Sequence, residues 1–451
     1  MTPATPAATD APVTPPGGVA AVGRWRHADL AWGVGAFCCY AFLAVGVFWH
    51  VWTGHPTTET VGGGDSYMDT WFLAFIAHAV VHGHNPFFTV LGNYPYGINV
   101  LDQSSQPVLG FVGTPLTLAF GAIATFNFWT TAGLALSAMS AYLLARRFVR
   151  WHPAAVLAGL VYGFSPYSIV QSADGHLNIA FVAIPPLVFL VLHDLLVAKR
   201  DRPVRNGVLL AVLLVVQFFI SDEVLVTTVL VAAIAVVVAA IAAHRELREA
   251  LPAAAKSLVL AGVATVAALS YPAWYALRGP GHIVGPIQPV AQAYRADLLG
   301  PLLPDHMERL APGRLVQMAQ HFASSTAENG SYLGIPLILL VVAGAVWLWH
   351  ERAVVVTAIT GAAAFVLSLG GALQVTGAPA VGPHGAATGG IPLPEALLYA
   401  VAPLRNIIPV RISLYTTLAA AVLLALVCDR LRARAVASGG APSHRAIRWA
   451  A

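Results

Sequence analysis

The residues best placed to do chemistry are carboxylates at the ends of apolar runs. Asp65 follows three glycines in VGGGDSYMDTWFLAF and leads into a stretch with Trp and Phe at helical spacing. Asp174 lies in SADGHLN, and Asp222 and Glu223 divide the run LLAVLLVVQFFISDEVLVTTVLVAAIAV. A carboxylate at the mouth of an apolar helix can cap it, take a proton from a substrate, or couple proton movement to transport. For Asp65 both the cap and the base are open. Asp174-Gly175 is a common turn pair, while the adjacent His176 and Asn178 could orient a carboxylate or touch a ligand. The run before Asp222, 206–221, has 16 residues. At 1.5 Å per residue it reaches about 24 Å against a hydrocarbon core of about 30 Å, so Asp222 and Glu223 are expected either recessed or snorkelling from a tight hairpin. Arg405 and Arg411 bracket NIIPV, where they could clamp a phosphate or anchor a helix at the interface. The stretch from Glu328 to Tyr332 is a further polar segment at the head of an apolar run.

The elements that must position these residues are membrane helices. Hydrophobic residues make up 58% of the 451-residue chain and charged ones 10%, against roughly a quarter charged in soluble domains. The mean hydropathy is +0.73. Ten apolar runs are long enough to predict spans: 28–52, 127–145, 153–171, 177–197, 206–221, 224–243, 256–277, 331–349, 353–370 and 407–428. An eleventh, 107–124, carries two prolines and three glycines and is ambiguous. With it left out and the amino terminus inside, 18 of the 24 basic residues fall on the cytoplasmic side, the bias expected of short inner loops. The reading is an all-α, polytopic protein of about ten spans with both termini cytoplasmic. It has a proline-rich, disordered tail over 1–27, which is no cleavable signal peptide, a membrane domain over 28–428 and a basic tail over 429–451. Residues 53–126 form a long first extracytoplasmic loop, and 278–330 and 371–406 form two more. Met68, Trp71, Phe72, Phe75, Ile76, Ala79 and Val80 make an apolar stripe that suits either an interfacial helix or packing against other helices.

Several classes are excluded or unsupported. The net charge of +4 fits inner loops of a membrane protein rather than nucleic-acid binding. There is no P-loop, HExxH or CxxC, and Cys38, Cys39 and Cys428 suggest no disulfide framework. His78, His82, His84, His282, His306 and His321 show no ligand spacing, so no metal ligands are assigned and use of a divalent metal stays open. Lysine occurs only at Lys199 and Lys256 while arginine is abundant, which points to a GC-rich bacterial genome such as an actinobacterial one.

Over about residues 28–245 the chain resembles the GT-C superfamily of polyprenyl-phosphate-dependent glycosyltransferases, in a bacterial branch with little characterisation. The matching features are GDSYMDTWFLAF, NPFFTVLGNYPYGIN, the ARR turn, GFSPY and GHLN. One departure is Gly-Asp-Ser where several members carry an Asp-Glu pair. The resemblance implies that Asp65 stands at the first-loop catalytic aspartate and Asp174 at the second-loop acid. It also implies a polyprenyl-phosphate sugar donor, a glycan, lipid or protein acceptor, and an extracytoplasmic site at the plasma membrane.

The residues suit that chemistry. A polyprenyl phosphate leaves already ionised, so the requirement is a base for the acceptor hydroxyl and cations or helix N-termini for the phosphate. Asp65 is then the expected base of an inverting displacement. Asp174 is its helper, Arg405 or Arg411 the phosphate grip, and His176, Asp222 and Glu223 further substrate-binding candidates. The main alternative is a secondary transporter or flippase that uses Asp174, Asp222 and Glu223 for coupling, although no repeat or pair of broken helices supports it. A catalytically inactive scaffold is a third reading.

Overall fold

The computed structural model describes residues 27–198, 202–285, 291–322, 325, 328–376 and 391–438. Most of the amino-terminal tail and the end of the basic tail lie outside the described residues. Within them the regular secondary structure is helical apart from one two-stranded antiparallel pair and an isolated bridge. Seven helices are long and apolar enough to cross a membrane: His27–Val47, Ala122–Ala145, His152–Asp174, Leu177–Leu196, Asp222–Ala242, Arg248–Arg278 and Pro409–Ala437. The three other expected spans are shorter apolar helices, Pro203–Phe218, Ile335–Trp347 and Arg352–Ser368.

The helices that matter below are α1 (His27–Val47), α2 (Ser66–His82), α3 (Pro107–Phe120), α4 (Ala122–Ala145), α5 (His152–Gly163), α6 (Pro166–Asp174), α7 (Leu177–Ala180), α8 (Ile184–Leu196), α9 (Pro203–Phe218), α10 (Asp222–Ala242), α11 (His244–Arg278) and α12 (Ser413–Ala437). Two expected spans are each split. Pro166 follows Ser165, whose side chain accepts from the Ser168 backbone N–H, so the 153–171 run becomes α5 and α6. The 177–197 run becomes α7 and α8, with Pro185 and Pro186 at the start of α8. Proline is favoured at the first helical positions because the N–H it lacks has no intrahelical partner there. The ambiguous 107–124 run resolves as α3, only 14 residues, about 21 Å long. Gly121 at φ +90° separates it from α4.

α12 lies at the centre: the span that contains it, Pro409–Ala437, has the largest buried share of the seven long apolar helices. Close helix approach depends on small residues. A Cβ on Gly159 would fall 2.2 Å from the Tyr40 hydroxyl, and one on Gly163 2.5 Å from Ala138. The apolar stripe of α2 is spent largely on protein: Phe72, Phe75, Ile76 and Ala79 are buried with Val100, and Gly110 of α3 lets Ile76 approach closely. NPFFTVLGNYPYGIN builds the strand pair β1 (Phe88–Thr89) and β2 (Ile98–Asn99). It docks onto α11 through Asn99 Nδ2 to the Tyr275 carbonyl (2.8 Å) and Asn85 Nδ2 to the Tyr275 hydroxyl (3.0 Å).

Candidate active site

The two acids of the first and second loops meet. Gly175, in the left-handed region at φ 87°, ends α6 and turns the chain back. Its α-carbon and the Ser172 carbonyl leave no room for a Cβ at Gly62. Gly64 sits at φ 48° against the Asp174 backbone. The two segments are then stitched together by Gly63 N–H to the Ala173 carbonyl (2.8 Å) and Asp65 N–H to the Asp174 carbonyl (3.0 Å). The glycines of VGGGD and of ADGH serve one purpose, contact of two backbones at van der Waals distance.

This contact delivers Asp65 and Asp174 to one imidazole. His176 Nε2 lies 3.4 Å from Asp65 Oδ2 and 3.3 Å from Asp174 Oδ2. Both carboxylates remain about half exposed while the histidine is nearly buried, at 55%, 43% and 13% of side-chain surface. Among the described residues neither acid is paired with arginine or lysine. Asp65 occupies the N-cap position of α2 but makes no capping hydrogen bond with its side chain. Asp174 is the last residue of α6, and its carboxylate extends beyond the turn to His176.

The other nitrogen of His176 starts a polar chain into the bundle. His176 Nδ1 faces Gln171 Oε1, and Gln171 Nε2 donates to Glu328 Oε2 at 3.2 Å. Glu328 in turn takes Arg411, Nη2 to Oε1 at 2.6 Å, and Arg411 Nη1 reaches Glu223 Oε2 at 2.5 Å. Glu223 Oε1 accepts from the Ile408 backbone N–H. Burial pushes the Glu328 carboxyl up, but Arg411, with help from His176 and Gln171, more than offsets this and holds it below the usual range.

Of the remaining candidates, Asp222 is exposed, and its Oδ1 accepts from the neighbouring Glu223 N–H. Arg405 is exposed, with its Nε on the Tyr399 carbonyl. The structure therefore gathers Asp65, Asp174 and His176 into one cluster and links Glu223 and Arg411 to it through Glu328. Asp222 and Arg405 take no part in that chain.

Three side chains assigned no role from the sequence organise the cluster. Asp69, one helical turn after Asp65, is almost fully buried at 1% exposure. Its Oδ1 accepts from Gln106 Nε2 (2.8 Å) and its Oδ2 from the Leu177 N–H at the start of α7 (2.9 Å). Burial pushes its carboxyl up to about 7, despite the two donors that oppose the rise. Asn127, fully buried in α4, accepts from the Val61 N–H and donates to the Pro56 and Glu59 carbonyls, which pins the loop ahead of the glycines. No spacing rule points to these partners, because each bond joins residues tens of positions apart. Against the same loop lies a cleft of about 390 Å³ lined by Thr58, Glu59, Thr60, Gly62, Tyr67, Thr70 and Ile123.

The histidines His78, His82 and His84 do gather, with ring centroids 4.1 to 5.7 Å apart. The i, i+4 spacing of the first two and the turn at Gly83 bring them together. His82 Nδ1 is engaged by the His78 carbonyl. Among the described residues no group of three His, Cys, Asp or Glu side chains is arranged to hold a metal ion.

Residues 36–438 match the family model described as Domain of unknown function (DUF6311). No curated protein matches the chain. Among solved structures it is similar to the archaeal oligosaccharyltransferase AglB from Archaeoglobus fulgidus in complex with an inhibitory peptide and a dolichol-phosphate. The two are 16% identical over 94% of this chain and 54% of that one, with a TM-score of 0.43. It is also similar to the apo form of the Archaeoglobus fulgidus oligosaccharyltransferase, at 15% identity, 91% and 52% coverage and a TM-score of 0.43. The chain spans about half the length of these structures.

Proposed function

The chain belongs to the DUF6311 family, and we propose that it is a multi-pass membrane glycosyltransferase of the GT-C type, transferring a sugar from a polyprenyl-phosphate donor to an acceptor hydroxyl. The observation that carries this reading is the pair of half-exposed carboxylates, Asp65 and Asp174, that meet on one imidazole. Buried acids need a cation or other donors of their own, whereas these two keep one face open to solvent. These two share His176.

Asp65 removes the proton of the acceptor hydroxyl as its oxygen attacks the anomeric carbon. The new carbon–oxygen bond forms as the bond to the phosphate oxygen breaks. The polyprenyl phosphate departs with that electron pair, and the proton stays on Asp65. One displacement with one base inverts the anomeric centre. Asp174 and His176 keep Asp65 in place and hold negative charge at the acceptor side. Glycines 62–64 let the backbone come close to the sugar. Arg411 already serves two carboxylates, so its part is to position the outer segment around Glu328. Of the two arginines considered for the lipid phosphate, Arg405 is the exposed one and takes that role. The site faces away from the cytoplasm, where lipid-linked sugars are used.

The test is purified protein in proteoliposomes with a panel of radiolabelled polyprenyl-phosphate sugars and hydroxyl acceptors. Label should move to the acceptor with inverted configuration and with release of polyprenyl phosphate. Proton- or sodium-dependent movement of intact solute across the bilayer, without transfer, would overturn the reading in favour of a transporter.

A further inference from the structure

We infer that Gln171, Glu328 and Arg411 form a positioning relay that fixes the tautomer of His176, so that its Nε2 always faces Asp65 and Asp174. The inference deepens the proposed function by giving the imidazole a defined state, and it rests on that reading only for its catalytic meaning.

Arg411 can only donate, and it holds Glu328 as a carboxylate with Nε and Nη2. A carboxylate can only accept, so Glu328 draws the amide nitrogen of Gln171 toward itself. That leaves Gln171 Oε1 pointing at His176 Nδ1. An amide oxygen can only accept, and the imidazole must therefore carry a proton on Nδ1. Nε2 is then the nitrogen presented to both acids, and it donates to them when the ring carries its second proton. The groups that face the ring are Asp65 and Asp174 on one side and Gln171, backed by Glu328, on the other. No step depends on an adjustable hydroxyl, and each partner forces the next.

The relay crosses three parts of the fold: the end of α6, the segment at Glu328, and the head of α12. Gly330 packs on the Tyr167 backbone, where a Cβ would fall 2.7 Å from the Tyr167 α-carbon. The Glu328 segment is thereby seated against the first turn of α6. A displacement of that segment would release the Gln171 amide and with it the histidine.

The experiment is magic-angle-spinning NMR on full-length protein in proteoliposomes with ring-15N histidine, the His176 signals being assigned by their loss in His176→Gln. The wild type should show a protonated, pyrrole-type Nδ1 at every pH from 5 to 9. Glu328→Gln keeps the shape and leaves Arg411 its second partner, Glu223, but removes the carboxylate that sets the direction of the Gln171 amide. The Nδ1 signal should then split into protonated and bare forms. Gln171→Met removes the last member and should give the same mixture if Glu328→Gln fails to fold. In the transfer assay either variant should lose about tenfold or more, by analogy with the loss when the outer partner of a metal-bound histidine is removed. An unprotonated Nδ1 in the wild type, or an unchanged Nδ1 signature in both variants, would overturn the relay. A wild type that has the expected signature but transfers no sugar would leave the relay standing and count against the proposed function instead.

Discussion

The two ends of α4 treat charge in opposite ways. Its 24 residues separate them by about 36 Å. At the Arg146 end the acids lie on arginine guanidinium groups. Arg147 grips Asp194 in bidentate fashion at 2.8 and 3.0 Å, and Arg430 grips Glu351 at the same two distances. Asp429 takes Arg430 and the backbone N–H groups of Arg150 and Trp151. At the Asn127 end two carboxylates share one imidazole and stay open to solvent. Saturated acids stabilise a fold and can do little else. Acids left open to solvent are available to a substrate, and that contrast is the ground on which the second end is proposed as the site.

The largest effect should come from the undersaturated end. Asp65→Asn should reduce transfer by about a hundred- to ten-thousand-fold, the usual weight of a general base, without moving the thermal midpoint. Transfer within tenfold of wild type would remove Asp65 as the base. Next comes the buried triad. Arg411→Met leaves Glu223 and Glu328 facing each other without their cation and should cost about 3–5 kcal/mol of stability. A thermal midpoint within two or three degrees of wild type would show that the triad is not the joint between α10, α12 and the Glu328 segment.

At the saturated end, Arg147→Ala should cost about 1–3 kcal/mol while activity per folded molecule stays unchanged. A selective loss of activity would break the division of labour between the ends. A further effect is a pH dependence set by Asp69. Its folded-state carboxyl lies up at about 7, above the ordinary range, so the folded protein holds the proton more tightly than the unfolded chain. That contribution to stability is complete in the acid range and is lost as pH rises through about 7. Gln106 Oε1 is buried without a partner, and a turned amide would offer the proton an acceptor. The thermal midpoint should decline from pH 5 to 8 in the wild type and stay flatter in Asp69→Asn. Equal slopes would contradict the assignment.

Much of this was legible in the sequence because it is local. Composition and apolar runs give the helical membrane class. GGGD and ADGH show the two glycine-flanked acids, and His176 sits two residues from Asp174. The spans were less legible where proline decides: Pro166 and the Pro185–Pro186 pair break helices that hydropathy alone reads as continuous. The stripe on α2 illustrates another limit, since the same i, i+3, i+4 pattern serves a lipid surface or α3, and only the packing of Gly110 on Ile76 distinguishes them. The roles of Asn127, Gln106 and Glu328 depend on partners 37 to 157 positions away, and side-chain amides carry no periodic signal. Arg411 looked like a phosphate clamp because its two carboxylate partners are remote in sequence.

The account's central claim is that Asp65 and Asp174 work as one unit through His176. A double-mutant cycle on transfer with Asp65→Asn, Asp174→Asn and the pair tests it most directly, because groups that act together are strongly non-additive. The account predicts that each single variant loses most of the activity and that the double variant is little worse than Asp65→Asn alone. Losses that multiply, or an Asp174→Asn variant with full activity, would contradict it.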